Sequence, residues 1–206
     1  MNGRTDIKAE DDKFMENIAF LTGIANDFDI ELAKTLSENG YKVYSYDMVN
    51  EIDHIDLYID TSNYKPENDK FTVSDEIDYD LIKTIYTENV LKPIAMYEEL
   101  LPLMKAGSLK RYCFITSANA GINQNADTSG YGYNMSKAGL HNFLQIIKNK
   151  LMPQGFTFRA FDPSALSPDK SSKSAYNYFT RRRGVEGRDD EPKFRIRDAF
   201  GREYSW

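Results

Sequence analysis

The sequence predicts an α/β domain in which a doubly wound parallel sheet is covered by helices on both faces. Two observations carry this. Short apolar runs rich in β-branched and aromatic residues alternate with segments of helical periodicity along the whole chain, and right-handed crossovers between parallel strands put helices on each face. The 206 residues are 41% hydrophobic and 28% charged, which suits one buried core, and no internal repeat or low-complexity stretch interrupts them. Residues 1–15, polar and acidic, are expected to form a flexible N-terminal tail, leaving 16–206 as a single domain.

Asn17 to Thr22 is an apolar run that stops at Gly23, the profile of a strand and its turn. Leu32, Ala33 and Leu36 fall at helical spacing within Ile30 to Asn39, and Gly40 stops that helix. Tyr41 to Tyr46 and Asp56 to Asp60 read as strands. The polar stretch from Ser62 to Asp78, with Pro66, Asn68 and Asp69, marks a surface loop. A long helical segment follows from about Asp80 to Lys105, and its Pro93 withholds a backbone donor, which predicts a kink or break near Asn89. Arg111 to Thr116 is a buried strand. Leu140, Phe143, Leu144, Ile147 and Leu151 then share one face of a helix over Tyr133 to Leu151. Phe156 to Phe161 is the next strand, Ser174 to Arg182 a short helix, and Lys193 to Arg197 a last strand before a turn at Asp198 to Gly201.

The net charge of −6 argues against nonspecific nucleic-acid binding, and Arg181 to Arg183 is too short a basic run to reverse it; a solvated face is its ordinary role. No run approaches the roughly 18 apolar residues of a membrane span. Cys113 is the single cysteine, so no internal disulfide forms and a reducing compartment, the cytoplasm, is the expected setting. Two histidines and one cysteine draw no zinc-type cluster; no metal is expected, and only carboxylate sites stay open.

Tyr133 and Lys137 stand four apart, on one helix face. An ammonium beside a phenol favours the phenolate and brings a pKa of about 10 toward the working range of a general acid or base. An isolated Tyr-x-x-x-Lys is common by chance. Here Ser117 ends a buried strand at the carboxyl edge of the sheet, where open α/β folds hold their ligands. Asn89 sits beside the Pro93 break, where a side-chain amide or a freed carbonyl can order a water.

These residues lie in ITSANAG (Ile115 to Gly121), YNMSKAGL (Tyr133 to Leu140) and ENVLKP (Glu88 to Pro93). The three segments resemble the active-site region of the short-chain dehydrogenase/reductase family, and the similarity runs from about Asn17 onward. The resemblance implies a Rossmann-like fold, NAD or NADP as cofactor, a small-molecule carbonyl or alcohol as substrate, and a homodimer or homotetramer paired through the long helices. It makes Tyr133 the general acid/base and has Ser117 bond the substrate oxygen. Lys137 then lowers the tyrosine pKa and holds the nicotinamide ribose, while Asn89 holds a water of the proton relay. Cofactor contacts fall by the same resemblance on Thr22, Gly23, Asp47, Lys137 and Pro163.

The chain also departs from that pattern. The family's phosphate-binding turn has three glycines, so that backbone amides can approach a pyrophosphate. Thr22 to Asp29 keeps only Gly23, with Asp27 and Asp29 where the later glycines would stand. Either aspartate can repel phosphate at about 1 kcal/mol or more, or can cap the following helix and compete for the same amides. Asp60-Thr61-Ser62-Asn63 stands where the family has Asn-Asn-Ala-Gly beside the adenine ribose. Only 37 positions separate Gly23 from Asp60, too few for the family's extra helix and strand, so the fold is expected to be shortened and the adenine pocket to lack a wall. Asp47, after the second strand, is either a ribose ligand favouring NAD or a turn residue. Asp162-Pro163-Ser164 replaces a Pro-Gly pair beside the nicotinamide. Tyr176, Tyr178 and Phe179 either line a substrate lid or pack inside.

Three functions follow. The first is an NAD(P)-dependent oxidoreductase acting through Tyr133. The second is a related scaffold that has lost the dinucleotide and serves as a binding or assembly protein. The third keeps the acid/base set for isomerisation or elimination.

Overall fold

The computed structural model of the chain describes residues 16–123, 125–181 and 194–204. The expected tail at 1–15 lies outside the described residues. Seven strands form one sheet in the order β2-β1-β3-β4-β5-β6-β7: β1 Asn17–Leu21, β2 Tyr41–Tyr44, β3 Leu57–Asp60, β4 Arg111–Ile115, β5 Thr157–Asp162, β6 Ile196–Asp198 and β7 Glu203–Tyr204. All neighbours pair parallel except β6 and β7. Five α-helices cover it: α1 Asp27–Glu38, α2 Tyr79–Tyr86, α3 Lys92–Ala106, α4 Tyr131–Leu151 and α5 Pro168–Thr180.

Side chains alternate across each strand, so one chain feeds two cores. Ala19, Leu21, Ile59 and Phe161 face α1 and α5 with Leu32, Leu36 and Phe179. Phe20, Tyr58, Tyr112 and Phe158 face the opposite helices with Leu100, Leu140 and Leu144. Both sheet faces are therefore dry, which is why the central strands are almost uniformly buried.

The shortening is seen directly. Between β2 and β3 the chain makes one 3-10 segment, Tyr46–Glu51, and β2 is the border strand among the described residues. From β1 the chain steps to β2 on one side, then crosses to β3 on the other. The strand order reverses between β1 and β3, and such a switch point opens a ligand crevice at the carboxyl ends.

Some expected boundaries move. α1 begins at Asp27 rather than Ile30, because Asn26 caps it. α5 begins at Pro168 rather than Ser174 and ends before Arg182, with proline in the first turn, where its missing N–H is harmless. The last parallel strand is Ile196–Asp198, with Lys193 outside the described residues, and the antiparallel β7 has no counterpart in the sequence reading. The break expected near Asn89 is a single π turn, Thr87–Leu91, in which the Lys92 amide donates to the Thr87 carbonyl. Pro93 has no hydrogen for the carbonyl four residues back, that of Asn89.

Candidate active site

The sheet's carboxyl edge gathers the predicted groups. Thr22 and Gly23 leave β1, Asp60 to Asn63 leave β3, Ser117 follows β4, and Asp162 and Pro163 end β5. Tyr133 and Lys137 lie in the first two turns of α4. That helix starts at Gly130, which has φ 77° and no side chain to cap with. Asp69 does the capping from the long loop instead: its carboxylate accepts from the Gly132 amide at 3.1 Å and the Tyr133 amide at 2.7 Å. A carboxylate suits the positive helix end, so the loop and the helix fix one another.

The Ser117 hydroxyl lies beside the Tyr133 phenol, and the Lys137 ammonium lies 5.9 Å from the centre of the Tyr133 ring. The expected acidification of the phenol is not what this arrangement gives. Burial pushes the Tyr133 pKa well above its ordinary value, the Asp162 charge adds to the rise, and the nearby Ser117 hydroxyl offsets only part of it. The ammonium gives its hydrogen bonds to the backbone carbonyls of Ser62 and Ile115. Burial brings Lys137 down to about 8, against the pull of the fully buried Asp60. His141, one turn further along α4, meets the Thr116 hydroxyl through Nε2 at 2.5 Å. Burial and the Lys137 charge lower its pKa to about 3, so it stays neutral and anchors the start of the Ser117 loop.

Asn89 is fully buried and its amide is occupied. Oδ1 accepts from the Tyr64 amide at 2.8 Å, and Nδ2 donates to the Tyr64 carbonyl and to Ser136 Oγ, both at 2.9 Å. The side chain thus clamps the loop after β3 to α4, and a water-holding part in a relay would fall to its carbonyl. Asp162 accepts from the Ala118 amide at 2.7 Å and the Ser164 amide at 2.8 Å, tying the Ser117 loop to the end of β5.

At the phosphate turn the chain satisfies its own amides. Neither aspartate is the N-cap of α1; that residue is Asn26, which accepts from the Asp29 amide. Asp29 answers from the first turn, its carboxylate accepting from the Ala25 amide at 3.1 Å and from Asn26 Nδ2 at 2.9 Å. Burial raises its pKa, and those bonds hold it back. Thr61 Oγ1 accepts from the Gly23 amide at 3.1 Å and donates to the Gly23 carbonyl at 2.8 Å, while Thr22 Oγ1 accepts from the Thr61 amide. Two amides that would face a pyrophosphate therefore already have oxygen partners.

Two adjoining cavities occupy the crevice. One, about 250 Å³, is lined by Asp29, Thr61, Asn63, Pro163 and Ser164. The other, about 290 Å³, shares Asp29, Thr61 and Asn63 and adds Thr22, Gly23 and Ser62. Tyr133 lines neither; it borders a third, of about 350 Å³, with Lys65 and Asp69. The phenol donates to Asn63 Oδ1 at 2.8 Å, so Asn63 stands between it and the crevice. Asp47 is exposed in the 3-10 segment and lines none of these. Sequence reasoning missed Asn63 and Asp69. Asn63 stands where the matching motif ends in glycine, so a side chain in place of none was the signal.

No family model matches the chain. It is 27% identical over 136 residues to C-signal of Myxococcus xanthus, a match covering 64% of this chain and 82% of that protein. It is 33% identical over 84 residues to an uncharacterized oxidoreductase of Saccharomyces cerevisiae, covering 41% of this chain and 33% of that one. The matched part thus spans about a third of the yeast protein's length. Among solved structures, a carbonyl reductase from Pseudomonas aeruginosa in complex with NADP superposes with a TM-score of 0.73 at 14% identity, covering 93% of this chain and all of that one. A short-chain dehydrogenase/reductase from Brucella ovis in complex with a partially ordered NAD gives 0.62 at 17% identity, over 81% and 94%. In fold the chain matches solved short-chain dehydrogenase/reductase structures, and part of its sequence is similar to curated proteins that include oxidoreductases.

Proposed function

We propose that the chain is an oxidoreductase that reduces a small carbonyl compound with NADH or NADPH, using Tyr133 as the general acid. The observation behind this is the meeting of Tyr133, Ser117 and Lys137 at the carboxyl edge of the sheet, next to a crevice bordered by Pro163. At the nicotinamide end Pro163 and Ser164 wall the cavity, and the buried Lys137 ammonium would reach ribose hydroxyls only once the Ser62 carbonyl it bonds moved aside. The pyrophosphate end does not fit as the turn stands, because Asp29 and Thr61 hold its amides. When bound, the cofactor supplies the hydride.

Tyr133 gives its proton to the substrate oxygen as that oxygen gains charge. Ser117 hydrogen-bonds the same oxygen, and the Lys137 ammonium stabilises the phenolate left behind. The raised phenol pKa keeps Tyr133 protonated at neutral pH, which suits carbonyl reduction and disfavours alcohol oxidation. This reading carries a small-molecule substrate, action as a homodimer or homotetramer, and a reducing cytoplasmic setting. Among the described residues no helix is long and apolar enough to cross a membrane.

Calorimetry with NADH and NADPH, followed by turnover of an aldehyde panel, tests the reading. Tyr133→Phe should keep nucleotide binding and lose about a hundredfold or more of turnover. Absence of binding heat at millimolar nucleotide would remove the proposal. The self-satisfied turn favours a second reading, in which the fold persists as a binding or assembly protein without dinucleotide; that null result is what it expects.

A further inference from the structure

Four consecutive residues after β3 each hold one group that the proposed chemistry needs. Thr61 takes the Gly23 amide, the Ser62 carbonyl takes the Lys137 ammonium, Asn63 Oδ1 takes the Tyr133 hydroxyl, and Tyr64 is held through its backbone by Asn89. Three of these contacts use backbone groups or a hydroxyl wedged against backbone, and anchor the segment. The fourth is different. Asn63 reaches the phenol through its side chain alone, is itself exposed to solvent, and lines the cavity into which it could turn.

A phenol has one hydrogen to donate. Tyr133 is 5% exposed and gives that hydrogen to the carbonyl oxygen of a planar amide at 2.8 Å. A carbonyl ligand asking for the same hydrogen meets a position already filled by the same chemical group. We infer that Asn63 is the chain's own occupant of the carbonyl position on Tyr133, a side-chain gate that must rotate away before a ligand binds, and that the position behind it accepts a primary carboxamide. The inference rests on reading Tyr133 and Ser117 as the carbonyl-binding pair. Rotation about the Asn63 Cα–Cβ bond is enough to open it, since staggered alternatives are close in energy on an exposed residue.

Acetamide is the asparagine side chain cut free, and thermal unfolding of the full chain reads its binding. Acetamide should raise the melting temperature of Asn63→Gly above its effect on the wild type. The gain should vanish in Asn63→Gly combined with Tyr133→Phe. Equal shifts in all three proteins would overturn the inference. Lys110 is the one non-glycine residue of positive φ among those described, so position 63 tolerates a Cβ, and Asn63→Ala with formamide serves should the glycine variant not fold. In a second arm, NADH should bind Asn63→Gly about tenfold more tightly than the wild type, a gain of about 1.4 kcal/mol. Equal or weaker binding by the folded variant overturns the gate. Binding by neither protein sinks the oxidoreductase reading instead, and the acetamide comparison alone then decides.

Discussion

Lys137 is a charge held tightly in place. It is fully buried, its pKa is lowered to about 8, and it bonds two carbonyls while opposing the buried Asp60. Only the protonated form can stabilise a phenolate, so reductase turnover should fall as pH rises through about 8. A pH–rate profile that stays flat to pH 10 would detach Lys137 from the chemistry. At this scale the sequence was informative about identity and misleading about electrostatics. That Ser117, Tyr133 and Lys137 come together at one sheet edge could be read because their spacing along β4 and α4 is local. The sign of the phenol shift could not, because it depends on burial and on Asp162, which reaches the site from a different strand.

Between elements, the turn from β1 to α1 is the telling joint. Asp29 and Asn26 cap one another across the first turn of α1, and the same carboxylate holds the Ala25 amide. Asp29→Gly should therefore trade one property for another. Loss of the reciprocal cap costs about 1 kcal/mol of stability, measured by denaturant unfolding, while the freed amide should improve NADH affinity in calorimetry. An unchanged affinity would mean that the carboxylate is not what excludes phosphate. The sequence foresaw competition between a cap and a phosphate, yet gave the cap to the wrong residue, since Asn26 and Asp29 are both good capping types three apart. α5 was begun too late because its first turn, Pro168 to Ser171, lacks apolar periodicity; Ser167 followed by Pro168 was the start signal. β7, two residues long, is held by antiparallel pairing to β6, which no local pattern announces.

For the whole molecule, the end of the sheet opposite the site combines a close helix–sheet approach with a bonded histidine. A Cβ on Gly107 would lie 2.0 Å from the Ile55 carbonyl oxygen, so α3 can approach the sheet closely only with glycine there. Gly107→Ala should cost about 1–3 kcal/mol and lower the melting temperature without touching the crevice. Nearby, His54 bonds Asp53, the Glu16 carbonyl and Asp56. Burial pulls its pKa down, but those partners outweigh it and hold it above the ordinary value. A raised folded-state pKa means stability that is complete below the unfolded value and lost as pH climbs through the folded one. His54→Gln should therefore destabilise by about 1 kcal/mol at pH 5.5 and by less at pH 8.5 in chemical denaturation. Equal losses at both pH values would show that packing, not charge, is what the ring contributes.

The layout of strands was legible because each βα unit is written locally, and so was its truncation. That truncation has a consequence for any nucleotide the crevice accepts. With β2 as the border, the base and sugar farthest from Lys137 would hang past the last strand over open water, gaining little contact. Half a dinucleotide should then serve almost as well as a whole one: reduced nicotinamide mononucleotide and NADH are expected to bind with affinities of the same order.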